Sequence, residues 1–542
     1  MVATLTSASA TLGVWTGDLG VARVAGAQRR SPSLLVVLVV DQFRADYLER
    51  YAHRWRGGFR TLLTDGAAFT RVEYPYLNTA TCAGHATIAT GTLPRTHGII
   101  LNRWWHRDEG RTFNCMDDDA ASHLSYGAAA ASGSSGKRLL VSTLADELRV
   151  QRPGARVVSL SLKARGAIPL AGRTGDAVLW FDEPAHAFVT SRAFADEPLP
   201  SIRAFLAREG PEADLGHTWA LRDRGETYLH QDLGIGERPK AGWSALFPHT
   251  LKTGDAGAEF FDRWQKSPFS DALLSRLAVT LVDDLALGQR HSTDYLAISF
   301  SALDLMGHDF GPDSREVEDL LMHLDATLGA LLQHLDARVG RDDYIVALSA
   351  DHGTAPTPEQ SGGGHIASED LNHVVEQTLV SRWGPSGTGT YVAYGGSGSI
   401  WFSAGVFDRL RTDVPAMQEV TQALLRVPGV ARVLRPGELR ATSRESLVRA
   451  ALAGYSPGRT ADLLLVPKRN WVIEFRVENE ATNHGTFHEY DRRVPLLLRG
   501  HGVRPGRYTG RVSPADIAPT LAHVAGITLP KAEGRVLREA IR

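Results

Sequence analysis

The chain has 542 residues, and 59 basic against 61 acidic side chains give a formal net charge of −2. Near-neutral charge with no long Lys/Arg block argues against nucleic acid or an anionic membrane surface as partner. A hydrophobic content of 43% with 22% charged residues excludes wholesale disorder and a polytopic membrane protein. Two cysteines exclude a disulfide-dense scaffold and a cysteine zinc cage, so any bound metal falls to His and Asp.

Residues 1–32 read as a signal peptide or a disordered tail. The stretch from Met1 to Gly17 is uncharged, and Ala25-Gly26-Ala27 before Gln28 offers a small-residue cleavage site. No basic residue precedes Arg23, so the positive flank of an export signal is missing. Asp18 stops the apolar run short of a spanning helix, and no other segment reads as transmembrane.

The core begins with a continuous Leu/Val run over residues 34–40 that ends at Asp41, the pattern of a strand buried on both faces. The same grammar recurs at 156–162, ending at Lys163, at 294–300, leading to Asp304, and at 344–350, ending at Asp351-His352. Val317, Leu320, Leu321, Leu324, Leu328, Leu331, Leu332 and Leu335 recur at helical spacing between the last two runs and mark an amphipathic helix. Strands alternating with helices predict an α/β fold with a doubly wound, mostly parallel sheet flanked by helices, whose ligands lie beyond the carboxyl ends of the strands. Residues 33–370 and 481–542 are assigned to this core. Residues 103–140 read as loop, and 371–480, broken by Gly, Ser and Pro, read as an inserted cap over the sheet edge. Residues 494–498 look like a returning core strand, and Asp516 opens a final helix.

The chemistry-bearing residues stand at these strand ends. Asp304 and His308, four apart, face the same way on a helical turn and suit one metal. Asp351 and His352 are adjacent at a strand end, Asp41 closes the first strand, and His484 lies in Asn483-His484-Gly485-Thr486. Each alone has an ordinary explanation as a cap or a structural histidine. Together, three Asp and three His make two oxygen/nitrogen sites that suit Zn²⁺. Thr81 falls at the expected start of a helix near Cys82, where the peptide dipoles favour an anion; a plain capping role fits Thr79 and Thr81 equally. Lys163 and Arg165 are alternate residues, which in an extended segment face one side, and Asn102 could add a neutral donor.

These residues together resemble the alkaline phosphatase superfamily, most closely its bacterial phosphate-irrepressible alkaline phosphatases with a threonine nucleophile. The likeness runs from about Leu34 to Pro530. It is carried by Val39-Val40-Asp41-Gln42-Phe43-Arg44, Thr81 through Asn102, Ser161 through Ile168, Ser301 through His308, Ser349-Ala350-Asp351-His352-Gly353, and His484-Gly485 ahead of Tyr490-Asp491. The resemblance implies two zinc ions, one held by Asp304, His308 and His484, the other by Asp41, Asp351, His352 and the Thr81 oxygen. It further implies in-line attack by Thr81, a phosphothreonine hydrolysed from the opposite face by a zinc-bound hydroxide, and phosphoryl oxygens held by Asn102, Lys163 and Arg165. Relatives often carry Gly-Pro or Phe-Pro after the nucleophile, where this chain has Cys82-Ala83. The Cys-x-Pro-x-Arg context of sulfatases is absent, so Cys82 reads as a small buried filler; whether it pairs with Cys115 is left open. Two Zn²⁺ offset three aspartates and an ionised Thr81, and Lys163 with Arg165 then match a phosphate dianion. The expected activity is therefore phosphate monoester hydrolysis on small molecules, by a periplasmic or secreted monomer. A nucleotide pyrophosphatase/phosphodiesterase on the same scaffold is the alternative.

Overall fold

The Leu/Val run after Ser33 has no polar face to offer solvent, and it forms the strand Leu34–Val40 with every residue buried. In the computed structural model, residue 1 and residues 31–542 are described, apart from 224, 226, 241, 388 and 477–479. The export-signal reading of residues 1–32 thus falls almost wholly outside the described residues. Parallel neighbours flank Leu34–Val40: Tyr344–Ser349 on one side, and Asp294–Phe300 followed by Val157–Ser161 and Ala177–Asp182 on the other. Register decides what happens at their carboxyl ends. Val40 lies opposite Phe300 and Val39 opposite Ser349, so Asp41 and Asp351 leave the sheet side by side.

Among the described residues eleven strands make this sheet, and its flanks depart from the parallel expectation. Leu496–Gly500, near the expected returning strand, runs antiparallel to Tyr344–Ser349 and to Ala67–Val72. On the far side Ala187–Ser191 and Asp117–Ser125 continue antiparallel, so the sheet is mixed. Residues 103–140 are likewise not plain loop. Arg103–His106 and Arg111–Asn114 form a hairpin, and Asp117–Ser125 is part of the sheet edge. The polar sequence of that strand, Asp-Asp-Asp-Ala-Ala-Ser-His-Leu-Ser, carries little β propensity; it lies next to the outermost strand, Gly133–Ser134, where most of its residues stay partly or fully exposed and no apolar run is needed.

The leucine stripe forms the helix Arg315–Leu335, and Ile517–Ala525 follows Asp516 as the last helix longer than a turn. Within 371–480 a four-stranded sheet runs in the order Val392–Gly396, Ser399–Phe402, Leu463–Pro467, Val430–Leu434. It has its own apolar cluster, including Val375, Leu379, Val420 and Leu463, separate from the main core. This sheet reaches the segment that carries His484: Gly398 and Leu465 share a small pocket with Asn78, His484 and Phe487. No helix among the described residues is long and apolar enough to cross a membrane.

Candidate active site

Two strand ends, two short helices and the loop around His484 bring seven predicted residues into one cluster. Thr81 is the first residue of the helix Thr81–Thr90, all ten of whose residues are buried. Gly84 allows this helix its close seat on the sheet, since a Cβ there would stand 2.2 Å from the Asp351 carbonyl oxygen. Asp304 and His308 share the helix Ala302–Phe310 and face each other, His308 Nε2 lying 3.3 Å from Asp304 Oδ1. His352 Nε2 is 3.3 Å from Thr81 Oγ1, 3.4 Å from Asp41 Oδ1 and 3.3 Å from Asp351 Oδ2. The His352 and His484 rings stack at 3.5 Å, and His484 Nε2 lies 3.9 Å from Asp304 Oδ1.

The three histidines are oriented alike. Nδ1–H of His352 donates to Gly353 O at 2.9 Å, that of His308 to Thr482 O at 3.0 Å, and that of His484 to Thr79 O at 2.9 Å. A carbonyl can only accept, so each Nδ1 carries a proton and each Nε2 is the nitrogen turned toward the carboxylates. That is the arrangement by which proteins fix a metal-binding imidazole. His85 differs. Its Nδ1 donates to Thr81 O and its Nε2 meets Ser299 Oγ, each at 2.8 Å, so both nitrogens are engaged and burial holds its pKa down to about 4.

The charges of the cluster are strongly shifted. Burial, then the neighbouring Asp41 charge, pushes Asp351 well above the ordinary carboxylate range. Burial works the same way on Asp304, but Lys163 and His308 outweigh it and hold Asp304 well below that range. Burial, then His484, holds His352 well below the usual imidazole value, and burial lowers His484 too. Both are therefore neutral, the form that binds metal. His308 is raised despite burial because Glu480 and Asp304 flank it.

Two groups of donors fit a cation. Asp41, Asp351 and His352 form one, and Asp304, His352 and His484 another, the ligand atoms of each lying within 4.8 Å of one another. Asp41 Oδ1 and Asp351 Oδ2 are buried yet accept no hydrogen bond, a costly condition that a cation would relieve. Mixed oxygen and nitrogen donors suit Zn²⁺.

The phosphoryl-binding candidates are placed differently from one another. Lys163 Nζ lies 2.5 Å from Asp41 Oδ2 and also pairs with Asp304, so the ammonium sits inside the carboxylate cluster. The carbonyl of the Asn102 side chain accepts from Cys82 N at 2.8 Å, beside Thr81. Arg165 stands next to the cluster without a hydrogen bond or ion pair to the other predicted residues. It lines a cavity of about 480 Å³ together with Lys163, Asn114, Trp180 and Asp182. Cys82 is not a lone filler: it is disulfide-bonded to Cys115.

Sequence reasoning passed over three neighbours. Gln42 donates from Nε2 to Asp304 Oδ1 at 2.8 Å and from its backbone N to Asp351 Oδ1 at 3.1 Å, tying the two donor groups together. It does so at φ 67°, a left-handed conformation with no sequence signal in a glutamine. Glu480 lies 3.3 Å from His308 Nδ1, and His85 is 3.3 Å from Asp351 Oδ2. Only His85 had a signal, its position four residues after Thr81 on one helix face.

Residues 35–491 match the model of the type I phosphodiesterase / nucleotide pyrophosphatase family. The chain is 30% identical to alkaline phosphatase PhoK of a Sphingomonas species, over 93% of this chain and 91% of that protein. It is 29% identical to alkaline phosphatase PhoV of Synechococcus elongatus, over 94% of this chain and 93% of that one. The crystal structure of wild-type alkaline phosphatase PafA superposes with a TM-score of 0.86 at 28% identity, covering 95% of this chain and 99% of that one. The chain belongs to the type I phosphodiesterase / nucleotide pyrophosphatase family, within the alkaline phosphatase superfamily.

Proposed function

We infer that this protein is a phosphate monoester hydrolase of the alkaline phosphatase type, that it uses two zinc ions, and that Thr81 is transiently phosphorylated. The observation that carries this reading is the common pose of His308, His352 and His484, each with Nδ1 tied to a backbone carbonyl and Nε2 turned to buried aspartates around the Thr81 hydroxyl. Asp304, His308 and His484 would hold one ion, and Asp41, Asp351, His352 and the Thr81 oxygen the other. His352 lies in both donor groups of the structure and borders both. When bound, divalent cations lower the pKa of coordinated oxygens and neutralise developing phosphoryl charge.

The chain's own residues account for the rest. The Thr81 oxygen attacks phosphorus, the bond to the ester oxygen breaks, and the alcohol leaves. Water then attacks the phosphothreonine from the opposite face and releases inorganic phosphate and the free hydroxyl. Thr81 stands at a helix N-terminus, where the peptide dipoles favour the negative charge of the transition state. With Oδ1 held by Cys82 N, the Asn102 amide has its NH₂ group left to donate to a phosphoryl oxygen. Arg165, whose Nε is buried and unpartnered, adds a cation beside the site, and Lys163 supplies the second. Two cations suit the dianion of a small-molecule monoester better than a diester monoanion. Periplasmic or secreted location is supported by the Cys82–Cys115 disulfide, a bond that persists in oxidising compartments.

Steady-state rates on an aryl monophosphate and on its methyl diester, with zinc measured on the same sample, test the reading. Preference for the monoester, two equivalents of zinc, and phosphate trapped by acid quench on wild type but not on Thr81→Ala are expected. A faster diester, or no phosphate on Thr81, overturns it.

A further inference from the structure

The Cys82–Cys115 disulfide encloses Asn102. Arg103 pairs with Asn114 across the hairpin, which sets Asn102 opposite Cys115, and Cys115 N donates to the Asn102 backbone carbonyl at 2.8 Å. Cys82 N donates to the Asn102 side-chain carbonyl, also at 2.8 Å. The two residues that grip Asn102 from its two ends are the two joined by the S–S bond. Both cysteines are buried, and Cys82 directly follows Thr81. A backbone N–H can only donate, so this grip fixes which way the Asn102 amide points and leaves Nδ2 as the outward donor.

We propose that Cys82 and Cys115 are positioning residues for Asn102: their disulfide locks the hairpin to the nucleophile helix, so that the Asn102 amide meets the phosphoryl group at a fixed place relative to Thr81. The inference rests on the reading of Asn102 as a phosphoryl donor given above. Neither cysteine touches substrate. Their contribution is geometric, and displacing a positioned group by about 1 Å can cost as much as 10²-fold in rate.

A double-mutant cycle on the zinc-loaded full chain tests this. Cys82→Ala/Cys115→Ala is expected to lower kcat/KM for an aryl monophosphate by about 10- to 100-fold and to weaken inhibition by inorganic phosphate. Asn102→Ala alone is expected to cost about 10²-fold, the loss typical of one charge-stabilising donor. In the Asn102→Ala background, removing the cysteines is expected to change kcat/KM and the phosphate inhibition constant by less than about 3-fold, because the group they position is gone. Equal losses in both backgrounds would mark a merely structural crosslink and overturn the proposal, as would an undiminished rate in Cys82→Ala/Cys115→Ala. Full activity in Asn102→Ala would instead overturn the assignment of Asn102, a separate outcome. If the alanine pair does not fold, wild type and Asn102→Ala are compared after phosphine reduction and alkylation under native conditions, and the same criteria decide.

Discussion

Lys163→Met is expected to weaken the metal-depleted protein sharply and the zinc-loaded protein little. The Lys163 ammonium lies 2.5 Å from Asp41 Oδ2 and also pairs with Asp304, and all three side chains are buried. At an effective dielectric near 20, one such contact carries about 6–7 kcal/mol of gross attraction. Much of that is offset by the cost of burying the ammonium, and breaking a buried pair typically costs about 3–5 kcal/mol because the partner charges are left uncompensated. Divalent cations on the same carboxylates would supply that compensation, leaving about 1 kcal/mol for the change in packing. The thermodynamic cycle then requires the variant to bind zinc more tightly by the difference, about 2–4 kcal/mol, or roughly 30- to 1,000-fold. Urea denaturation followed by tryptophan fluorescence, with and without zinc, gives the two stabilities, and competition against a chromophoric chelator gives the affinity. Equal destabilisation in both conditions, or weaker zinc binding, would refute the claim that the ammonium and the cations neutralise the same carboxylates.

Other perturbations separate the remaining parts of the site. Gln42→Gly relieves the left-handed backbone but removes the hydrogen bond to Asp304. Global stability is expected to change by less than about 1 kcal/mol while zinc affinity falls about 10-fold; unchanged affinity in chelator competition would show that Gln42 does not orient Asp304. Gly84→Ala puts a methyl group against the Asp351 carbonyl, and a loss of about 1–3 kcal/mol is expected in thermal denaturation, together with lower activity as Thr81 is moved off His352. A variant as stable and active as wild type would contradict the close seat. Asp271 accepts from Ser301 N at 3.1 Å, and burial raises its pKa from 3.8 to about 7. Because the folded-state value lies above the unfolded one, its contribution is full below pH about 4 and is lost as pH rises through about 7, a total of about 4 kcal/mol. In metal-depleted protein, Asp271→Asn is expected to flatten urea-midpoint stability across that window; parallel pH profiles would show that Asp271 is not the titrating group.

How much of this site is legible in the sequence depends on which force places each residue. The strand ends were legible because burial on both faces forces a run free of charged residues, and Asp41, Lys163 and Asp351 are the first charged residues after it. Their meeting then follows from parallel register, which the helix-linked strand pattern already implies. The strand Asp117–Ser125 escaped because it is largely solvent-exposed, flanked on its outer side only by the two-residue strand Gly133–Ser134, and the antiparallel return of Leu496–Gly500 escaped because an apolar run carries no sign of direction. The left-handed pose of Gln42 and the Cys82–Cys115 bond were hidden for another reason: each depends on segments distant in sequence, Gln42 on Asp304 and Asp351, Cys82 on a hairpin whose register sets Cys115 beside Asn102. Lys163 shows the same limit in electrostatic form. An alternating pair of cations at a strand end suggests a shared anion, but the direction taken by an ammonium is set by the nearest excess of negative charge. Two buried aspartates from other strand ends supply that excess, and they draw Lys163 inward, while Arg165, two residues on and already in the helix Ala164–Ala171 rather than in an extended segment, stays beside the cavity. The two cations that charge counting treats as equivalent thus sit in different fields, so exchanging zinc for protons should move Lys163 far more than Arg165.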